Sequence, residues 1–276
     1  MMVNEIDFKK FALQIRIGIV EQMKARGFGH IGGSLSVADV LSVLYGGVMR
    51  VDPQNPAWPE RDKLVCSKGH AGPAVYATLA LKGFFPYEML KTLNQPGTSL
   101  PSHCDRNKTP GVDMTTGSLG QGTSLAAGMA LGDRLAGRDS RTFLIVGDGE
   151  LNEGQAWEAA MFTAGKKLTN LTWIIDNNKR QLDGWTCDII NNFDFEEKFR
   201  AFGFDAVTVK GDDVAGLYEA LTAPVGDKPK AIVLDSVKGA GIAEVENTFG
   251  NHSMSPNAET CDKWLADLRA QLDALN

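Results

Sequence analysis

Residues 143–154, FLIVGDGELNEG, and residues 171–184, LTWIIDNNKRQLDG, are the stretches on which the fold turns. FLIVG (143–147) and LTWIID (171–176) are apolar at most positions, as strands are when helices cover both faces of a parallel sheet. Each runs into a polar turn, and a helical stretch from about Gly154 to Lys167 separates them. That is a βαβ unit, whose helix makes the long crossover that two parallel strands require.

The pattern continues outward in both directions. KLVCS (63–67) reads as a short strand before it; AVTV (206–209), a helix near 213–222 and AIVLDSV (231–237) extend it beyond. Helical spacing also marks residues 5–26 through Ile6, Phe11, Ile15, Ile19 and Met23, with Gly27 and Gly29 as the stop. Further helices are expected from Ser36 to Leu44, over 74–93 and over 124–136. The tail, 257–275, is amphipathic through Trp264, Leu265, Leu268 and Leu272. Between them, 51–62 is proline-rich and 94–124 is a long turn-rich run of the kind that carries function. The expectation is an α/β chain, a doubly wound, mostly parallel sheet with helices on both faces, forming one domain over 1–276.

Composition narrows the function. The 276 residues are 43% apolar and 22% charged with a net charge of -6, which argues against nucleic acid and anionic membrane surfaces as partners. No run approaches the length of a membrane span, and the N-terminal MMVNEIDFKK has acids where a secretory signal has an apolar run, so a cytoplasmic location is expected. Cys66, Cys104, Cys187 and Cys261 are widely spaced without a Cys-x-x-Cys pair and read as reduced, buried thiols. His103 next to Cys104 does not make a nucleophile pair, because neighbours in sequence rarely point at one another.

The chemistry gathers at the strand ends. Asp148 and Asn178 lie just beyond successive parallel strands, so a carboxylate and an amide oxygen should meet there. Hard oxygen donors suit Mg²⁺ or Ca²⁺, and the Arg180 carbonyl could add a third. Gly147 and Gly149 leave space for a phosphate, and the helix after them offers free N–H groups to an anion. The four histidines, His30, His70, His103 and His252, all lie in glycine- or serine-rich loops. Neither a G-x-G-x-x-G after a strand nor a G-x-x-x-x-G-K-[ST] is present, which removes Rossmann dehydrogenases and P-loop enzymes.

A Gly-Asp-Gly followed about thirty residues on by paired asparagines resembles the thiamine diphosphate signature. ARGFGHIGGS (25–34), LVCSKGHAGPAVYA (64–77), PGVDMTTGSLGQG (110–122) and GDGELNEGQAWEA (147–159) resemble the N-terminal half of transketolases specifically. The resemblance covers nearly the whole chain and implies the thiamine diphosphate-binding fold. It implies Asp148, Asn178 and the Arg180 carbonyl on the metal, and His70 and the Gly149 amide on the diphosphate, with Lys68 and Lys238 lining that pocket. It implies Gly117, Ser118 and Leu119 beside the cofactor rings, and Glu153 as a buried glutamate at a subunit interface. His30 and His103 would face the sugar's hydroxyl and carbonyl groups, and His252 would contact diphosphate or substrate. The sequence departs from the family at GNHSMSP around His252, where Trp-His-Gly is usual, and at Gly33, where some relatives carry serine.

In the family a catalytic glutamate and an aromatic shelf come from a second domain. The resemblance therefore implies a separately encoded C-terminal, pyrimidine-binding subunit in an α2β2 assembly, acting on sugar phosphates. Three rival readings are a specialised transketolase for a branched or sulfonated ketose, the α subunit of a 2-oxo acid dehydrogenase, and a non-catalytic subunit that retains the fold.

Overall fold

The computed structural model describes residues 5–276. Part of the stretch read for a secretory signal, residues 1–4, lies outside the described residues. The chain runs α1 (Glu5–Arg26), α2 (Gly32–Leu35), α3 (Ala38–Val43), β1 (Lys63–Cys66), α4 (Gly72–Leu81), α5 (Gln121–Leu135), β2 (Thr142–Gly147) and α6 (Gly154–Gly165). It continues through β3 (Leu171–Asn177), α7 (Thr186–Ile189), α8 (Phe195–Ala201), β4 (Asp205–Lys210), α9 (Val214–Thr222), β5 (Lys230–Asp235), α10 (Ala243–Asn247) and α11 (Ala258–Asp273).

The five strands form one sheet in the order β1-β2-β3-β5-β4, with every pair parallel. Alternate strand residues face opposite ways and build two cores. Cys66, Phe143, Ile145, Ile174, Ile232 and Leu234 pack under α1, α3, α4, α9 and α11. Val65, Leu144, Val146, Trp173, Ile175 and Val233 pack under α5, α6 and α8. Chain direction across the sheet reverses between β4 and β5. A right-handed crossover then puts α9 on the face opposite α6 and α8, which makes the fold doubly wound.

Several expectations are corrected. On α1 the inward stripe is Phe8, Ala12, Ile15, Ile19 and Met23, whereas Ile6 is exposed and Phe11 only half-buried. The helix expected over 74–93 is two elements. α4 stops at Leu81 because Gly83 takes φ +86, letting the Phe84 amide donate to the Leu79 carbonyl at 3.0 Å, and a 3-10 turn over Tyr87–Thr92 follows Pro86. α5 begins at Gln121, three residues before the expected start. Cys187 is exposed, while Cys66, Cys104 and Cys261 are buried and unbridged as expected. Among the described residues no helix is long and apolar enough to cross a membrane.

Trp173 is fully buried between Phe199 and Phe204, with ring centroids 5.5 and 5.9 Å away, and its Nε1 has no hydrogen-bond partner among the described residues. Trp173→Ala should cost about 3–5 kcal/mol in urea unfolding, as a large core cavity does. Trp173→Phe should cost less than about 1.5 kcal/mol because it keeps an aromatic ring and no bonded donor is lost.

Candidate active site

All the chemistry lies at the carboxyl edge of the sheet, where open α/β folds bind ligands. β1 delivers Lys68 and His70, β2 delivers Asp148 and Gly149, β3 delivers Asn178 and Arg180, and β5 delivers Lys238. The loop after α1 brings His30, the long loop before α5 brings His103, Gly117 and Leu119, and the segment after α10 brings His252. All these residues line one cavity of about 350 Å³.

The four histidines meet there. His30 lies 5.7 Å from His70, 5.3 Å from His103 and 5.2 Å from His252, ring centre to ring centre, and His70 lies 4.7 Å from His252. Burial lowers the pKa of each, and positive neighbours add to it for three. His70 is held well below its ordinary value by burial and then Lys68; His252 is lowered to about 3 by burial and then Lys238. At neutral pH the cluster is uncharged, so its ring nitrogens can donate to or accept from a substrate oxygen.

The β2 and β3 ends carry oxygen donors. Gly147 pairs with Asp176 in register, so Asp148 and Asn178 both follow just beyond the strand ends, and both line the one cavity. Asp148 is 2% exposed and accepts from the Gly149 and Lys179 amides, yet it forms no ion pair among the described residues. Burial and then the charge of Asp176 push its pKa up to about 7, the condition of a carboxylate without a counter-ion. Asp176 differs. Burial alone would raise its carboxyl, but Lys68 outweighs this and holds it below the ordinary value, aided by Ser236 and Ser36. Asn178 donates its Nδ2 to Asp176 at 2.8 Å, while its Oδ1 accepts from the Arg180 amide at 3.1 Å. A carbonyl oxygen has two lone pairs, so Oδ1 keeps one for a cation.

These groups fit a divalent cation and a diphosphate. Among the described residues no three His, Cys, Asp or Glu side chains converge as a metal cluster. The available donors are one carboxylate with amide and carbonyl oxygens, a set that Mg²⁺ completes with phosphate oxygens. One expected ligand is already engaged. The Arg180 carbonyl accepts from Lys238 Nζ at 3.1 Å, so a metal at that oxygen requires the ammonium to move aside. Lys238 is itself lowered to about 8 by burial and then by Lys68. Gly33 has a steric role here, since a Cβ at that position would come within 3.1 Å of His70 Nε2 and 3.3 Å of Lys68 Nζ.

Over residues 8–268 the sequence matches the family described as transketolase, thiamine diphosphate binding domain. The chain belongs to the transketolase family. It is 46% identical to the 6-deoxy-6-sulfo-D-fructose transketolase subunit SqwG of Clostridium sp. (strain MSTE9), over 98% of this chain and 99% of that one. It is 35% identical to an apulose-4-phosphate transketolase subunit from Actinobacillus succinogenes, over 96% of each. Leishmania mexicana transketolase superimposes with a TM-score of 0.87 at 31% identity, covering 100% of this chain but 45% of that one. The chain thus spans less than half of that solved transketolase and nearly all of the two subunits.

Two residues expected at the transketolase site lie off the cavity wall. Ser118 is exposed on the loop between Gly117 and Leu119, and Glu153 is exposed just before α6 in the single chain, where a residue of a subunit interface has no partner to cover it. The buried glutamate of GDGELNEG is Glu150, which sequence reading passed over although it lies two residues from the equally buried Asp148. Gln181, Leu182 and Asp183 also line the cavity and were missed, because the turn after Asn178 has no periodicity to show which way it folds back.

The depressed histidines set a pH dependence. The unfolded chain takes up protons near 6.5, whereas folded His252 does so only near 3. The contribution of such a histidine is therefore full above about pH 6.5 and is lost as pH drops below it, by up to about 1.4 kcal/mol per pH unit, whereas the raised Asp148 acts in the opposite direction. Between pH 7.5 and 5, His252→Gln should show a shallower fall in melting temperature than the parent chain.

Proposed function

We propose that this chain is the diphosphate-binding subunit of a split, thiamine diphosphate- and Mg²⁺-dependent transketolase that moves a two-carbon ketol unit from a ketose to an aldose. A ketose with a sulfonate at its far end is the favoured donor class, because the 46% identity to the sulfofructose transketolase subunit runs the full length of both chains. The carrying observation is the meeting of Asp148, Asn178, Lys68, Lys238 and the four histidines in one cavity. Thiamine diphosphate, when bound, supplies the carbon nucleophile that attacks the ketose carbonyl.

The protein's own residues do the rest. Asp148 and the Asn178 amide oxygen would hold the metal, while Lys68, Lys238 and His70 would face the diphosphate. Neutral His30 and His103 would donate hydrogen bonds to the sugar's oxygens and carry protons between ring nitrogens and hydroxyl groups as charge develops. Buried on one side, the cavity is bordered on the other by Leu119 and Leu182, apolar side chains that are 37% and 65% exposed. Apolar side chains at the mouth of a polar site support a second subunit seated there. An α2β2 assembly is the arrangement we favour.

The test is co-expression with the polypeptide that supplies the pyrimidine-binding half, followed by assay with cofactor, Mg²⁺ and ketose donors. Ketol transfer should need both chains, and a sulfonated donor should outperform its phosphate counterpart. Robust turnover by this chain alone, or decarboxylation of 2-oxo acids without ketol transfer, would refute the reading. In calorimetric titration of the assembled enzyme, Asp148→Asn should weaken Mg²⁺-dependent thiamine diphosphate binding at least tenfold, as loss of the only carboxylate among the metal donors requires.

A further inference from the structure

Glu150 is 3% exposed, forms no ion pair among the described residues, and has no part in the chemistry described above. Its carboxylate collects donors from three segments. Oε1 accepts from the Ser67 hydroxyl, at the end of β1, and from the Gly120 amide at 2.8 Å; Oε2 accepts from the Gly147 amide at 3.1 Å. Gly120 is the residue before α5, where φ is +81 and no side chain of the helix's own caps the N-terminus. A carboxylate there satisfies an N–H that the helix leaves open and complements its positive end.

The other end of the same loop is anchored separately. Thr116 Oγ1 donates to the Cys66 carbonyl at 2.6 Å, and the Thr116 amide donates to the Cys104 carbonyl at 3.0 Å. Gly117, Ser118 and Leu119 thus lie between two anchors, with the Leu119 carbonyl also accepting from Gln155 Nε2 of α6 at 3.1 Å, and of these ties the Glu150 one joins the loop to the Gly147 amide of the β2 turn. We propose that Glu150 is a positioning residue, tying the Gly117–Leu119 loop to the Gly147–Gly149 turn so that the two halves of the cofactor site keep one spacing. This rests on the transketolase reading for its purpose, though not for its test.

Glutamine at 150 keeps the shape but turns one oxygen into a donor. Whichever way the amide sits, it faces one backbone N–H with another N–H, and one tie is lost. Hydrogen exchange of the full chain, without cofactor, reads this directly. In Glu150→Gln, amides in 116–122, in 145–150 or in both should exchange about tenfold faster, as loss of a bond to a charged group predicts. Amides of β3 should be unchanged. Ser67→Ala leaves both backbone ties intact and should alter the two segments by less than about twofold. Unchanged exchange in Glu150→Gln, a parallel rise throughout the sheet, or equal effects of the two variants would overturn the proposal. Because no cofactor is involved, the result is independent of whether ketol transfer is found.

Discussion

The buried carboxylate of Asp176 is the interaction around which the site is assembled. At the carboxyl end of the central strand it accepts from Lys68, Ser36, Ser236 and Asn178, which come from four different segments. A carboxylate with no exposure would be costly to ionise, so it stays charged only because these donors converge on it. Removing Lys68 would leave an uncompensated buried charge, typically about 3–5 kcal/mol of destabilisation. The ends of β1, β3 and β5 and the loop before α3 are thereby held at fixed distances.

Charge in the cavity follows from that arrangement. Lys68 is committed to Asp176, so Asp148 is left with two backbone amides and no cation of its own. Lys238, for want of a carboxylate, leans on the Arg180 carbonyl and on His252 Nδ1 at 3.3 Å. A carboxylate short of a cation beside an ammonium short of an anion suits a metal–diphosphate pair, which would satisfy both. The histidines stay neutral because nearby positive charge and burial act in the same direction. The site can therefore hold an anion without a cluster of charged imidazoles repelling the metal.

Glycine does the fitting at close quarters. Gly69 lies so near the start of the Gly117–Leu119 loop that a Cβ would meet the Thr116 carbonyl carbon at 2.7 Å, and a Cβ at Gly149 would meet Gln181 at 2.8 Å. These contacts let the glycine-rich turns nest against one another. They also explain why the long run over 94–124, without periodicity in sequence, is ordered: it is pinned through Thr116, Gly120 and the Asp105 turn.

By itself the sequence determined the parallel α/β class, because strands buried on both faces must be apolar throughout and only a crossover helix can join them. It determined too that oxygen donors and histidines would collect beyond the strand ends, since GDGELNEG and DNNKRQ follow buried strands directly. Tertiary structure alone decided which of several acids is engaged. Asp176 read only as the last residue of a strand and Glu150 did not stand out in its turn, because burial depends on what arrives from remote segments. It likewise decided that Lys238 lies on the Arg180 carbonyl and that His252 stands 4.7 Å from His70. Such arrangements depend on hydrogen bonds between residues remote in sequence, 58 positions apart for Lys238 and Arg180 and 140 for Ser36 and Asp176, and no local pattern encodes them.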